Sequence, residues 1–144
     1  MSLRELDIVS AVGIAAPPER VWSVFADARR WPEWSRVIAE VSVAPERWEP
    51  GARLAFRLRI GGAVVPFDVT VTVAEPPRLV RWSSVRWTVT GTRTHTFEPT
   101  AEGTRATDHK RFEHPFAPLR WVYPAALIGR MSETWLEDLA RACR

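Results

Sequence analysis

Cysteine and lysine are almost missing from this chain of 144 residues. Cys143 is the only cysteine, which excludes an intrachain disulfide. Lys110 is the only lysine, so nearly all the positive charge is arginine. The arginines are scattered and form no dense basic run. The net charge of +3 therefore reads as a bias toward Arg, Ala and Pro, not as a nucleic-acid footprint. No apolar run approaches the ~20 residues of a membrane-crossing helix. The opening residues, Met1 to Asp7, carry charge and lead into a strand pattern, which is unlike a signal peptide. The expectations are one domain over residues 1–144, a cytoplasmic location, no nucleic-acid partner and no stable membrane insertion.

Several chemistries lack their residues. His95, His109 and His114 do not have metal-ligand spacing, so no metal is expected, nor any cofactor. Ser83 and Ser84 have no nucleophile motif around them. Gly61-Gly62 is a hairpin turn with no helix after it, which excludes a phosphate-cradling loop. Cys143 falls at the fraying end of a helix, a poor place for a catalytic thiol.

What is abundant is periodic apolar sequence. Ile128, Met131, Trp135, Leu139 and Ala142 recur in steps of three or four, one face of a helix from Ala125 to Ala142. Such a helix is about 27 Å long. Arg130, Glu133, Glu137 and Arg141 mark its other side, with Glu137–Arg141 as an i,i+4 pair. An amphipathic helix of this length needs a broad partner for its apolar stripe.

The middle of the chain supplies one. Leu6 to Ala15 predicts a first strand. Pro17-Pro18 starts a short helix with Val21, Trp22 and Phe25 inside. Asp27 ends it and can cap a second short helix, which Pro32 cuts off. Strands follow at Val37–Val43, Arg53–Ile60, Val65–Val73, Leu79–Val85, Trp87–Glu98 and Thr104–Glu113, joined by tight turns and so antiparallel. Leu119 to Tyr123 is either a separate segment hinged at Pro124 or the start of a proline-kinked helix. The eight tryptophans are expected in the core and in the wall of any cavity. The outcome is an α+β domain, one antiparallel sheet curled round a C-terminal helix.

Strand phase then selects candidate residues. Phe56, Leu58, Phe67, Val69 and Val71 share the inner face of the third and fourth strands, and Trp82 and Ser84 that of the fifth. Phe97 brings His95, Arg93, Gly91, Val89 and Trp87 to the same side. Phe112 and Ala106 bring Asp108 and Lys110. With Ile128, Met131 and Trp135 from the helix, these form the expected ligand-binding set. Arg93, His95 and Asp108 are the candidate catalytic residues, and Lys110 the fourth polar group. Because the sixth and seventh strands form a hairpin, Asp108 lies opposite either His95 or Arg93. Buried charges need partners. The four groups therefore pair inside, meet a ligand, or point outward at a bulge. His95 has three readings: a general acid/base oriented by Asp108, a hydrogen-bond donor to a ligand, or a wall histidine satisfied by its neighbours. Arg93 and Lys110 suit a carboxylate or phenolate, an enolate in aldol-type closure, or a plain charge pair with Asp108.

The order of elements and a set of local sequences resemble the START-like (SRPBCC) superfamily, the birch-pollen-allergen fold, and within it the polyketide cyclase/dehydrase group. The carrying segments are Ala16-Pro17-Pro18-Glu19-Arg20-Val21-Trp22 with Phe25, Trp31-Pro32-Glu33-Trp34, Trp48-Glu49-Pro50-Gly51, Val73-Ala74-Glu75-Pro76-Pro77-Arg78-Leu79, His95-Thr96-Phe97-Glu98-Pro99 and Gly103-Thr104-Arg105. Together they span essentially the whole chain. The resemblance implies a helix-grip fold: a curved seven-stranded antiparallel sheet wrapped round a long C-terminal helix, with two short helices between the first and second strands. It implies a hydrophobic, aromatic or polycyclic ligand between sheet and helix, with polyketide cyclase/dehydratase chemistry as the enzymatic form. The alternatives it carries are a lipid carrier, gated by Phe116, Leu119, Trp121, Val122 and Tyr123, or a protein-interaction member of the co-chaperone or toxin-partner kind. A homodimer is left open. Many relatives have a glutamate in the last strand, where this chain has Lys110, so an acid role is not implied there.

Overall fold

Period-two alternation along the chain becomes seven antiparallel strands among the described residues, which in this computed structural model are 4–86 and 88–144. The strands are β1 (Glu5–Ile14), β2 (Ile38–Val43), β3 (Arg53–Ile60), β4 (Ala63–Glu75), β5 (Leu79–Arg86), β6 (Val89–Thr100) and β7 (Gly103–Glu113). Their order across the sheet is β1-β7-β6-β5-β4-β3-β2. Every neighbour is a sequence neighbour except β1, which pairs with β7 from Glu5↔Glu113 to Ile14↔Thr104. Bulges shift the register between β2 and β3 and between Val71 and Val73 of β4. Such extra residues bend a strand and increase its twist, which curls the sheet.

Helix α1 (Pro18–Ala26) buries Val21 and Phe25. A 3-10 turn, Ala28–Arg30, leads directly into α2 (Trp31–Trp34). Two expectations change here. Asp27 makes no side-chain capping bond. Pro32 does not end a helix but sits in the first turn of α2, where its missing N–H costs nothing. After β7 comes α3 (Leu119–Val122), then α4 (Ala125–Ala142). Tyr123 is extended between them, at φ −82° and ψ 140°, so α3 is a separate helix and α4 is not kinked. The start of the sixth strand was expected at Trp87, which lies outside the described residues.

The apolar stripe of α4 lies against the concave side of the sheet, with Trp135, Leu136 and Leu139 each at most 1% exposed. Asp138 has no exposed surface. Its carboxylate accepts from the Arg36 backbone N–H at 2.7 Å, Arg36 Nε at 2.9 Å and Arg141 Nη2 at 2.6 Å, tying the segment between α2 and β2 to α4. Arg141 therefore pairs with Asp138, three residues back, while the expected partner Glu137 reaches Arg36 at 3.4 Å.

The space between sheet and α4 is filled at one end by aromatic rings. Trp31 donates its indole N–H to the Phe25 carbonyl at 2.8 Å, and Trp48 donates to the Ala26 carbonyl at 3.0 Å. Buried indoles need such partners, and these two fix the end of α1 over the sheet. Phe25, Trp22, Trp82 and Phe97 complete the packing, with centroid spacings of 5.3 to 6.3 Å from Phe25 to Trp48, Phe97, Trp22 and Trp82.

Candidate functional site

Beyond this aromatic plug the sheet and α4 separate, leaving a cavity of about 420 Å³. Its floor comes from alternate residues of five strands: Phe56 and Leu58 of β3, Phe67 and Val69 of β4, Trp82 and Ser84 of β5, Gly91 and Arg93 of β6, Lys110 and Phe112 of β7. Ile128 and Met131 of α4 form its roof. The lining runs from buried Trp82, Phe56 and Val69 to exposed Arg86 and Pro124, so the cavity opens at the Arg86–Pro124 end. Arg86 lies over the Phe67 ring at 4.9 Å and donates to the Pro66 carbonyl at 2.6 Å. The Tyr123 ring packs on Phe112 at 4.9 Å.

Apart from exposed Arg86 at the mouth, two charged side chains, Arg93 and Lys110, interrupt the apolar wall, and both belong to one buried cluster. His95 and Asp108 are the directly opposed Cα pair, and Arg93 opposes Lys110. The side chains choose differently. Arg93 reaches diagonally to Asp108 with two hydrogen bonds, Nε to Oδ1 at 3.0 Å and Nη2 to Oδ2 at 2.7 Å. Such fork-to-carboxylate pairing is the strongest geometry open to the two groups. Lys110 Nζ donates to Asp108 Oδ2 at 3.3 Å and also to Ser132 Oγ on α4. The Arg93 guanidinium also lies near two indoles, 5.7 Å from the Trp82 centroid and 5.4 Å from that of Trp135.

Burial alone would raise the Asp108 carboxyl, but the charges of Arg93 and Lys110 outweigh it and hold the group well below the usual carboxylate range. Burial, reinforced by the Arg93 charge and only partly offset by Asp108, pushes Lys110 down to about 8. At neutral pH the cluster holds two cations and one anion, so a net positive charge stands beside the apolar cavity.

His95 has no exposed surface and does not line the cavity. Its ring packs 4.8 Å from Trp82 and 4.9 Å from Phe25. Neither ring nitrogen finds a hydrogen-bond partner among the described residues. Burial first, then the Arg93 charge, keeps it well below its ordinary pKa and therefore neutral. Asp108, the expected orienter of the ring, is engaged by Arg93 and Lys110. Asp108 too lies behind the lining. Val71 and Trp135, expected in contact with ligand, are each 1% exposed in the closed core and are not part of the lining. Val71 falls at the bulge and Trp135 packs against Trp31 and Trp34 at 5.1 and 4.9 Å. Trp87 lies outside the described residues. Of the residues expected to form a gate, Phe116, Trp121 and Val122 are 84%, 76% and 65% exposed, whereas Leu119 is buried at 2%.

The sequence matches, over residues 5–144, the family described as polyketide cyclase / dehydrase and lipid transport. The chain belongs to this family. No curated protein matches it in sequence. Among solved structures, the Zhui aromatase/cyclase from Streptomyces sp. R1128 superposes with a TM-score of 0.81 at 16% identity, covering 96% of this chain and 93% of that one. Major latex-like protein 151 from Panax ginseng gives 0.81 at 10% identity, covering 97% and 98%. The di-domain ARO/CYC BexL of the BE-7585A biosynthetic pathway gives 0.79 at 17% identity. The match covers 99% of this chain but 51% of BexL, so the chain spans about half of that protein. These likenesses establish the helix-grip fold. In this polyketide cyclase/dehydrase member, as in the family, the fold is one for hydrophobic ligands. No helix among the described residues is long and apolar enough to cross a membrane.

Some lining residues were not singled out from sequence. Ile60 and Val65 line the cavity and continue the phase of Leu58 and Phe67, so alternation alone would have found them. Leu127 stands four residues before Met131, so the helix spacing would also have found it, whereas Pro124 lies in the break between α3 and α4, where no period runs.

Proposed function

We propose that this protein binds a hydrophobic aromatic or polycyclic molecule in the cavity between the sheet and α4. The observation that carries this reading is a largely apolar space of about 420 Å³ with two cations, Arg93 and Lys110, in its inner wall and a third, Arg86, at its mouth. A cavity of roughly 150 Å³ accepts one benzene ring, so this volume suits a molecule of two or three fused rings. Pockets of this kind use a few polar groups to orient an apolar body. Phe56, Leu58, Phe67, Val69, Phe112, Ile128 and Met131 would contact the rings, and Arg93 and Lys110 would receive an oxygen-bearing edge. Asp108 holds Arg93 in place from behind. A proton-moving role for His95 finds no support in a neutral ring sealed from the cavity, so binding comes before cyclisation in this reading.

The test is a thermal-shift series with 2-methylnaphthalene and larger fused-ring phenols. At 100 times its dissociation constant a ligand adds about 2.7 kcal/mol to stability, roughly 5–10 °C for a chain of this size. The Gly91→Val variant should retain the fold and lose the shift. A Cβ at Gly91 would make only ordinary contacts, 3.5 Å from the Phe112 ring and 3.9 Å from Ser84 Oγ, and the rest of the valine would occupy the cavity. Equal shifts in the variant and the wild type would place binding elsewhere and overturn the proposal.

A further inference from the structure

Resting on the cavity as a ligand site, we propose that Lys110 is a reactive amine that condenses reversibly with an aldehyde or ketone group on an apolar ligand, forming an imine. Lys110 lines the cavity, and its side chain is 14% exposed. Its nitrogen is placed by two contacts, Asp108 Oδ2 on its own strand and Ser132 Oγ on α4.

The surroundings weaken its hold on a proton. Among the described residues Asp108 is the one anion paired with it, and both its oxygens are already taken by Arg93, at 3.0 and 2.7 Å against 3.3 Å to Lys110. Lys110 is thus the weaker partner of a carboxylate already neutralised by a guanidinium. The groups bearing on it are Arg93 and neutral His95 from β6, Asp108 from β7 and the Ser132 hydroxyl from α4. Two cations close together in an apolar site favour the neutral amine, a recognised way of making lysine nucleophilic. Titrating at about 8 instead of 10.5, the group has about 300-fold more free amine at pH 7 than an ordinary lysine.

The chemistry balances without a further reactant. The nitrogen lone pair attacks the carbonyl carbon, and the π pair moves to oxygen. That oxygen takes one proton from the nitrogen, giving a carbinolamine. The C–O bond then breaks as the C=N bond forms. The two amine protons leave with the oxygen as one water. The Ser132 hydroxyl, beside the nitrogen, is placed to relay a proton in these steps. The apolar wall keeps bulk water from the imine.

One lysine in the chain makes the test direct. The full-length protein is equilibrated with 2-naphthaldehyde at several pH values, quenched with borohydride, and mapped by peptide mass spectrometry. The N-terminal amine and free Nα-acetyl-lysine serve as references. The expected result is one naphthylmethyl group on Lys110, at least tenfold more than on Nα-acetyl-lysine at the same aldehyde concentration. Its yield should rise with pH through a midpoint near 8, and excess 2-methylnaphthalene should suppress it. Lys110→Arg, shown to be folded by circular dichroism, should take no internal label. Should that variant fail to fold, competition in the wild type decides alone. Labelling no better than free lysine, or insensitive to 2-methylnaphthalene, overturns the proposal. If 2-methylnaphthalene binds in that case, the cavity reading survives and only the amine chemistry falls. If it does not bind, both fall.

Discussion

Asp108 is a carboxylate with no exposed surface, placed between the guanidinium of Arg93 and the ammonium of Lys110. Bringing such groups out of water is expensive, and their mutual attraction offsets the cost only while all partners are present. Removing the anion leaves two cations facing each other beside an apolar space. Asp108→Asn should therefore lower stability by about 3 kcal/mol, roughly 10 °C in melting temperature, read by circular dichroism. The double change Arg93→Met with Asp108→Leu should recover most of that loss. A single variant as stable as wild type would mean that the cluster is well hydrated. Strand phase placed all four polar residues on the inner face, and it had no means of choosing the pairs. Direct opposition joins His95 to Asp108, yet Arg93 is long enough to take the diagonal, and a bidentate pair outcompetes an imidazole.

The elements were legible wherever one period ran unbroken. Strand β3 and helix α4 have the bounds their alternation and three-four spacing predict, Arg53–Ile60 and Ala125–Ala142. Boundaries slipped where one residue type has two uses. Pro32 reads as a stop signal and serves as a first-turn residue. Asp27 reads as a cap and makes no capping bond. The turn joining β6 to β7 shows how an element depends on one backbone position. Gly103 has φ +142°, and a Cβ there would stand 2.2 Å from the Ile14 carbonyl oxygen and 2.8 Å from the Ala16 nitrogen. Both are main-chain atoms, one in the last residue of β1 and one just after it, so neither can swing away. The next residue, Thr104, donates from Oγ1 to the Ala16 carbonyl at 2.7 Å. Gly103→Ala should thus cost about 2 kcal/mol or more by pushing β1 off β7, measured as a lower urea midpoint. An unchanged midpoint would show that this corner yields freely.

At the scale of the whole molecule, two buried groups oppose each other in alkali. Lys110 titrates at about 8 when folded against 10.5 ordinarily. Between those values the unfolded chain binds more protons, so this group makes stability rise with pH. Burial of Cys143 raises its thiol from 9.0 to about 11. Over that range the folded chain binds more protons, so this group makes stability fall. Urea midpoints should climb from pH 8 to about 9, level off while the two slopes cancel, and drop beyond about 10.5. Lys110→Met should remove the climb and Cys143→Ala should soften the drop. The global fold was readable because it needs only element order and tight turns. The cavity's exact lining was not, since it depends on how far the aromatic plug extends, and that is decided by bulges and ring packing that leave no periodic trace.

The plug has an optical consequence. Trp22, Trp31, Trp34, Trp48, Trp82 and Trp135 each have another indole within 6.4 Å, and Trp82 alone among them lines the cavity. Light absorbed by any member of the set migrates among its neighbours before it is emitted. A guest that quenches Trp82 drains the emission of the whole set, so the protein carries its own unlabelled gauge of occupancy.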